Sequence, residues 1–253
     1  MTVEESAKRI FAERAPFYTT SKVHTDPSAL AGLVALAAPR PEWAALDVAT
    51  GTGHTALALA PHVGSVVGID LTPEMLSEAE RLRANRAAGN VVFRQCDVHR
   101  LPFDDGSFDL VTCRRAAHHF SDIALALQEI RRVLRPGGRL VIDDRSVAED
   151  DFADHCMNQL DRYHDESHVR EYRPSEWWRM LEACELAVES LETFTRSRPL
   201  SALTDGVSDG GAANIQRILD DLTNDQRAAL NVVEIDGQTF LDHWYVLIAA
   251  RKA

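Results

Sequence analysis

The chain has 253 residues, of which 45% are hydrophobic and 26% charged, so it is long enough to bury a substantial core and typical in composition of a globular protein. A formal net charge of −12 disfavours a nucleic-acid-binding surface, which needs a basic stripe. No apolar run reaches the roughly 18 residues of a membrane-spanning helix, and because charges begin at Glu4 we expect no signal peptide. The four cysteines show no framework spacing and are expected to be reduced, as in the cytoplasm.

The N-terminal region is predicted to be helical. Apolar spacing indicates a helix over residues 3–14, a polar linker over 15–24, and a second helix over 27–38. Asp26 can cap the second helix, because its side chain accepts hydrogen bonds from free backbone amides. We expect residues 1–40 to form a helical cover over the remainder of the fold.

From residue 41 onward, short apolar runs alternate with helical patterns. The predicted strands are 44–49, 65–69, 91–96, 108–113 and 139–143, and the predicted helices are 54–62, 73–86 and 121–134. Such alternation indicates a parallel sheet with helices on both faces. Residues 41–145 are therefore expected to form the core of a doubly wound α/β sheet.

The pattern is less regular after residue 146. A helix is predicted over 174–184, a strand over 186–194, helices near 212–221 and 224–230, and a last strand over 239–250. We predict one domain, 1–253, with a Rossmann-like, mostly parallel sheet of seven strands. Its last strand, within 238–253, is antiparallel, and residues 146–237 form a helical lid that carries substrate specificity.

A glycine-containing turn follows the first predicted strand. The segment Asp47-Val48-Ala49-Thr50-Gly51-Thr52-Gly53 reads as a strand end and a turn before a helix, and Asp70 ends the next strand. Glycines allow close backbone approach to a nucleotide, and an acid at the second strand end can accept hydrogen bonds from ribose hydroxyls. Ala56 stands where a dinucleotide fingerprint has its third glycine, and Asp47 would repel a pyrophosphate. The pattern favours a cationic adenosine ligand.

These residues carry a family resemblance. The pattern D-x-A-T-G-T-G followed by V-G-I-D resembles the first two motifs of class I S-adenosylmethionine (SAM) methyltransferases. The segments Asp97–Asp109 and Glu129–Gly138 resemble motifs of the ubiquinone/menaquinone-biosynthesis-like (methyltransferase type 11) group. The resemblance covers about residues 10–145. It implies a methyltransferase that uses SAM and releases S-adenosylhomocysteine.

The resemblance also implies a set of cofactor-binding residues. They are Ala49, Gly51 and Gly53 along the methionine moiety, Asp47 at its amino group, Asp70 on the ribose, Leu71 and Met75 beside the adenine, Asp97 and Val98 at the adenine edge, Arg114 by the methionine carboxylate or sulfonium, and Tyr18 and His24 in a covering segment. Three of the acids have structural alternatives. Asp70 could cap a helix, Asp47 could bond backbone amides, and Asp97 could be a turn residue.

Candidates for chemistry follow the fourth and fifth predicted strands. Because imidazole titrates near neutral pH, we predict that His119 is catalytic or contacts the substrate. In the alternative, either His118 or His119 packs beneath the sheet edge while the other is solvated. Asp144 is predicted to orient the substrate. Residues 114–120 do not match the Asn/Asp-Pro-Pro-Tyr segment of nucleic-acid-methylating members, which disfavours adenine or glutamine nitrogen as acceptor.

The region after residue 146 holds further histidines and aromatic residues. His155, His164 and His168, with Asp161 and Asp165, lack metal-ligand spacing, so we predict no metal and interpret them as a solvated lid. Trp177 and Trp178 are interpreted as one core and one surface residue, with an aromatic cage for a cationic substrate as the alternative.

The functional hypothesis is methyl transfer from SAM to a small-molecule acceptor by in-line displacement. No nucleic acid partner is expected, and a homodimer is a possible assembly. The sequence leaves open the acceptor, the atom methylated, the use of a general base and the pathway. Three alternatives stay open: a SAM-binding protein that does not transfer methyl groups, a nicotinamide oxidoreductase, and a partner-binding structural domain.

Overall fold

The computed structural model describes residues 3–253; Met1 and Thr2, which belong to the predicted cover, lie outside the described residues. The helices are α1 (Val3–Thr20), α2 (Lys22–Thr25), α3 (Pro27–Ala37), α4 (His54–Leu59), α5 (Pro73–Asn85), α6 (Ile123–Val133), α7 (Asp151–His164), α8 (Pro174–Ala183), α9 (Ser201–Thr204), α10 (Asp209–Asp220) and α11 (Asn224–Ala229). The strands are β1 (Ala44–Val48), β2 (Ser65–Asp70), β3 (Val91–Gln95), β4 (Phe108–Arg114), β5 (Leu134–Ser146), β6 (Leu186–Pro199), β7 (Val233–Ile235) and β8 (Gln238–Lys252).

One mixed sheet organises these elements. Its strand order is β3-β2-β1-β4-β5-β8-β6, and the first five of these strands are parallel to one another. Strand β8 runs antiparallel between β5 and β6, as predicted for the last strand. The predicted α/β class and the mostly parallel sheet are therefore confirmed. The order reverses between β1 and β4, and a crevice at the carboxyl ends of such strands is the usual ligand site of open α/β sheets.

The sheet contains eight strands in the described part of the chain, one more than predicted. The additional strand, β7, pairs with β8 through the turn at Asp236-Gly237. Both turn residues have positive φ, 50° and 75°, which is the backbone conformation of a tight two-residue hairpin. The strand before the turn has three residues and is too short to show an alternating pattern.

Alternate residues of the strands build two core layers. On β1, Leu46 and Val48 pack on one face of the sheet with Val111, whereas Ala45 packs on the other face with Leu110. This distribution follows from the period of two in a strand. Helices therefore cover both faces, and the carboxyl edge between the layers is left to form a site.

The N-terminal helix is longer than predicted. Helix α1 continues through Pro16 to Thr20, and α2 follows at once, so the predicted linker 15–24 is largely helical. Proline removes a backbone donor inside a helix, but Ala15 and Thr19 are buried, and the Thr19 hydroxyl donates to Glu78 of α5 at 3.1 Å. Packing against α5 thus overrides the local sequence preference.

The lid region has its own apolar core. Ala153, Met157 and Leu160 of α7 are buried and belong to a hydrophobic cluster shared with Ile215 and Leu219 of α10. The sequence of α7 is polar on average, and no helix was predicted for these residues, although their apolar side chains fall on one face. Trp177 is fully buried and Trp178 is 43% exposed, which confirms the prediction of one core and one surface residue. No helix in residues 3–253 is long and apolar enough to cross a membrane.

Candidate cofactor-binding and active site

A cavity opens at the carboxyl ends of the parallel strands on both sides of β1. Its empty volume is about 1050 Å³, including space open to solvent, and we call it the first cavity. All of the predicted cofactor-binding residues except Gly53 line it. The residues selected from the sequence therefore lie around one cavity at one edge of the sheet.

The two glycines of the turn have different tasks. Gly51 has φ +54°, and a Cβ on it would meet no atom within 4 Å, so its backbone faces open space in the first cavity. Gly53 has φ +84° and precedes α4, and a Cβ there would lie 2.7 Å from the Phe93 ring. Gly53 does not line the first cavity; its positive φ forms the turn, and its missing side chain allows packing against Phe93 of β3.

Asp70 connects the glycine turn to the end of β2. Its Oδ2 accepts a hydrogen bond from the Gly51 amide at 2.8 Å, and its Oδ1 accepts one from the Thr72 amide at 2.9 Å. Burial raises the pKa of this carboxyl, and the two amide bonds oppose that shift. Asp70 lines the first cavity, and a carboxylate can accept about four hydrogen bonds in all. The structural and ligand-binding interpretations of Asp70 are thus compatible.

Asp47 is buried on β1 beneath the turn. The Thr50 hydroxyl donates to Oδ2 at 2.5 Å, and the Thr112 hydroxyl donates to Oδ1 at 2.6 Å. Burial raises the pKa of Asp47 to about 6, although both hydroxyl bonds act in the opposite direction. Asp47 lines the first cavity and forms a polar cluster with Thr50 and Thr112. The sequence did not indicate this cluster, because Thr112 lies 65 positions from Asp47.

The far end of the first cavity is apolar with one acid at its rim. Leu71, the buried Met75 and the buried Val98 line it. Asp97 follows β3, and its Oδ1 accepts from the amide and from Nδ1 of His99, at 2.9 and 2.7 Å. The turn-residue interpretation of Asp97 is realised, and its carboxylate still borders the cavity. A flat apolar slot with an acceptor at its edge fits an adenine ring.

Arg114 at the end of β4 binds the N-terminal region. Its guanidinium donates to the carbonyl oxygens of Val23 and His24, at 3.1 and 3.2 Å, and to Asp143 at 3.2 Å. It lines the first cavity, but its hydrogen bonds go to the protein. Arg114 therefore anchors the covering segment, a contact that the sequence alone did not predict.

Tyr18 and His24 form the covering wall that Arg114 anchors. Their rings pack edge to face with centroids 4.5 Å apart. Burial raises the pKa of Tyr18 to about 12. Burial, with Arg114 and Arg115 nearby, lowers the pKa of His24 to about 3. Both side chains are consequently neutral at physiological pH.

A second cavity adjoins the first. Its empty volume is about 1680 Å³, including space open to solvent, and it lies between α1, α7, α9 and the ends of β4, β5, β6 and β8. The residues that line both cavities are Phe11, Tyr18, His24, Arg115 and His119. The two cavities are therefore neighbouring compartments with one shared wall.

His119 stands in that shared wall. Its Nδ1 lies 3.1 Å from both the carbonyl oxygen and Oγ of Ser167. The Ser167 hydroxyl donates its proton to Asp165 at 2.6 Å, so Oγ can only accept from the imidazole. This geometry assigns a proton to Nδ1 of His119.

His118 and Asp144 form a buried pair. The Nδ1 atom of His118 lies 2.6 Å from Oδ1 of Asp144, and the His118 amide donates to Oδ2 at 3.1 Å. Asp144 is fully buried and lines neither cavity. Asp144 was predicted to orient the substrate; its carboxylate instead holds His118 and borders neither cavity, so any such role acts through His118. Of the two histidines, His118 is the buried one, and His119 is half-buried and lines both cavities.

The acids and histidines of α7 belong to an ionic network. Arg145 donates to both oxygens of Asp161 at 2.7 Å and pairs with Glu171, and both acids are 1% exposed. The Arg145 guanidinium holds the pKa of Asp161 below its usual range although burial acts to raise it. The interpretation of these residues as solvated fits the exposed His155 but not Asp161, Asp165 and His168, which are buried. No group of three His, Cys, Asp or Glu side chains within residues 3–253 could hold a metal ion.

Comparison with known proteins agrees with this geometry. Residues 46–142 match a family model described as a methyltransferase domain. YcgJ of Bacillus subtilis, an uncharacterized methyltransferase, is 41% identical over 184 residues, which are 73% of this chain and 73% of the relative. Demethylmenaquinone methyltransferase of Deinococcus radiodurans is 47% identical over 100 residues, 38% of this chain and 41% of its own.

A solved structure covers most of the chain. BH2331 of Bacillus halodurans C-125 superimposes with a TM-score of 0.85 at 34% identity, over 89% of this chain and 99% of that one. The open face of Gly51, the acceptor atoms of Asp70 and the apolar slot fit the three parts of SAM. The chain therefore belongs to the class I SAM-dependent methyltransferases, and its cofactor is SAM.

Proposed function

We propose that this methyltransferase modifies a small molecule bound in the second cavity. The observation that carries the proposal is the shared wall, because an acceptor in the second cavity meets the first cavity at His119 and Arg115. The second cavity is a pocket between helices and strand ends, of a size that suits a small molecule better than a polymer. The net charge of −12 also disfavours a nucleic acid acceptor.

The first cavity supplies the cofactor contacts in this proposal. Asp70 accepts hydrogen bonds from the ribose hydroxyls, and Asp97 accepts one from the adenine amino group. Leu71 and Met75 flank the adenine, and the backbone of Ala49 and Gly51 follows the methionine moiety. Asp47 attracts the methionine ammonium group. When bound, SAM supplies a methyl group made electrophilic by the neighbouring sulfonium.

The protein contributes mainly placement of the two reactants. Displacement at a methyl carbon requires the nucleophile in line with the breaking bond, and holding both reactants in that geometry lowers the barrier substantially. Tyr18, Phe11 and the Arg114-anchored segment exclude water from the shared wall. His119 presents Nε2 to the acceptor at that wall. We assign it a substrate-contacting role.

The domain plan belongs to the same proposal. Residues 1–40 serve as cover, 41–145 as the SAM-binding core, 146–237 as the substrate-specific region and 238–253 as the last strand. The cytoplasm is the proposed location, in keeping with four free cysteines.

Two experiments test the proposal. Calorimetric titration with S-adenosylhomocysteine, with NADH as control, should show one-site binding of the former alone. Incubation with methyl-labelled SAM and separate metabolite, protein and tRNA fractions should label the metabolite fraction. Label in protein or tRNA would contradict a small-molecule acceptor. Binding without transfer to any fraction would favour a SAM-binding protein that does not methylate.

A further inference from the structure

His118 and Asp144 form a buried, hydrogen-bonded pair, and neither residue lines the first cavity. His118 lies in a 3₁₀ turn, Ala117–His119, directly after β4, and Asp144 lies on the adjacent parallel strand β5. The carboxylate accepts from the amide and Nδ1 of His118 and from the Arg145 amide, at 3.1, 2.6 and 2.8 Å. Three hydrogen bonds thus fix one carboxylate against one imidazole.

This arrangement determines the form of the imidazole. An ionised carboxylate only accepts hydrogen bonds, so Nδ1 of His118 carries the proton and Nε2 keeps its lone pair. The His118 ring lines the second cavity. No hydrogen bond reaches its Nε2 from any residue of the described chain, 3–253. Nε2 is therefore the polar atom of this ring that remains for a ligand in the second cavity.

The other histidines of the second cavity are supported differently. His119 is held by the hydroxyl and carbonyl of Ser167, and His164 Nδ1 lies 2.9 Å from the Leu203 carbonyl oxygen. His168 Nε2 lies 3.0 Å from the side-chain oxygen of Asn158, and His24 Nδ1 lies 3.1 Å from Oγ of Ser21. None of these partners is ionised. A carboxylate in direct contact stabilises an imidazolium, and among these histidines only His118 has a carboxylate in hydrogen-bond contact.

The charges around His118 set its resting state. The rings of His119 and His168 lie 4.0 and 6.0 Å away between centroids. Burial lowers the pKa of His118 well below its usual range; His119 and Arg145 act in the same direction, and Asp161 and Asp165 oppose them. Burial also raises the pKa of Asp144. The imidazole is consequently neutral at physiological pH, the form that can accept a proton.

We propose that His118, positioned by Asp144, accepts the proton of a hydroxyl acceptor during methyl transfer. The hydroxyl O–H bond breaks and the proton moves to Nε2. The oxygen electron pair forms the new O–CH₃ bond, and the old C–S bond breaks with its pair left on sulfur, which becomes neutral. The imidazolium faces Asp144 until it releases the proton to solvent through the second cavity. The inference rests on the proposed function.

A general base selects among acceptor classes. A neutral amine attacks through a free lone pair, and a thiol ionises at a pKa of about 8.5, so neither requires strong assistance near neutral pH. A phenolic hydroxyl ionises at a pKa of about 10 and is almost wholly protonated under the same conditions. A positioned base typically contributes about 10²–10⁴-fold to such a step. The pair therefore points to a hydroxyl-bearing acceptor.

The kinetic test uses His118→Gln and Asp144→Asn with a series of phenols of graded acidity as probe acceptors. His118→Gln should slow methylation of a weakly acidic phenol by roughly 100-fold or more at neutral pH. The deficit should shrink for phenols that are already ionised, and should shrink as pH is raised. Affinity for S-adenosylhomocysteine should not change. His155→Gln, an exposed histidine that lines neither cavity, is the matched control.

A spectroscopic test needs no turnover. In ¹⁵N spectra of the histidine rings, His118 should show a protonated Nδ1 and an unprotonated Nε2, and added phenol should shift the Nε2 signal. Asp144→Asn should alter these signals and flatten the pH profile of methylation. The spectra of the wild-type protein alone decide which nitrogen of His118 is protonated and whether phenol shifts the Nε2 signal, even where a variant does not fold.

Specific outcomes would overturn the inference. Protonation of His118 at Nε2, or a phenol-induced shift of His119 rather than His118, would show that the base is misassigned. Methylation of amines or thiols but of no hydroxyl compound would refute the inference and leave the proposed function intact. Absence of S-adenosylhomocysteine binding would instead contradict the proposed function itself.

Discussion

Replacing Asp70 with alanine separates a structural role from a ligand role. The carboxylate accepts hydrogen bonds from the amides of Gly51 and Thr72, and the proposal adds hydrogen bonds from the ribose. A hydrogen bond to a charged group contributes about 1.5–3 kcal/mol. Loss of the ribose contact should therefore weaken S-adenosylhomocysteine binding by roughly 10- to 150-fold. The two amides that lose their acceptor should also destabilise the fold, by about 1–3 kcal/mol.

Calorimetric titration and thermal unfolding measure the two effects separately. Asp150→Ala is a suitable control, since Asp150 caps α7 by accepting from the Ala153 amide at 2.8 Å and lines neither cavity. This control should lose about 0.5–2 kcal/mol of stability through its cap and keep full affinity. Affinity of Asp70→Ala within about twofold of the wild type, less than 0.5 kcal/mol, would refute the ribose contact.

The remaining predictions concern stability and its dependence on pH. The raised pKa of Asp47, about 6, means that the folded state retains a proton that the unfolded state releases near pH 4, so this group lowers stability as pH rises from about 4 to 7. Asp47→Asn should remove this decrease, and its free energy of unfolding should rise relative to wild type by up to about 3 kcal/mol across that range in urea titrations. Gly51→Ala and Gly53→Ala should each cost about 1–2 kcal/mol through their positive φ. Only Gly53→Ala should add a packing penalty of about 1–3 kcal/mol, and Gly51→Ala should mainly weaken SAM binding. Arg145→Met should destabilise by about 3–5 kcal/mol in chemical denaturation, because two buried carboxylates lose their cation. Arg131→Met, at an exposed ion pair, should change stability by less than about 1 kcal/mol.

Each of these expectations has an outcome that contradicts it. A pH-independent difference between wild type and Asp47→Asn would mean that this carboxyl does not hold its proton to about pH 6. Equal stability of the two glycine variants would show that the Phe93 ring yields to a new Cβ. An unchanged unfolding free energy for Arg145→Met would mean that the buried acids are neutral without it.

The sheet and the first cavity could be predicted because local patterns determine them. Buried parallel strands read as apolar runs, and the carboxyl ends of such strands share one edge, so Asp47, Asp70 and Asp97 had to converge there. The α/β class and the antiparallel β8 followed from the same reading. These features depend on spacing within about 20 residues, which a sequence displays directly.

What the sequence did not show depends on contacts between distant segments. Thr112 reaches Asp47 across 65 positions, and His118 reaches Asp144 across 26. A proline inside α1 is tolerated because the helix packs against α5, and no local rule contains that contact. The charged residues Arg145, Asp161 and Glu171 are polar in the sequence, and polar residues are expected to be solvated. Their burial emerges only when α7 closes against the sheet.

The shared wall makes the two cavities thermodynamically dependent. Tyr18 and His24 border both compartments, and the hydrogen bonds from Arg114 to the carbonyls of Val23 and His24 tie their segment to β4. If SAM or the acceptor orders this wall on binding, the second ligand loses less conformational entropy when it binds. Linkage requires the effect to be reciprocal, so the factor by which SAM tightens acceptor binding equals the factor by which the acceptor tightens SAM binding. Heterotropic cooperativity between cofactor and acceptor is thus a consequence of placing one aromatic wall between them.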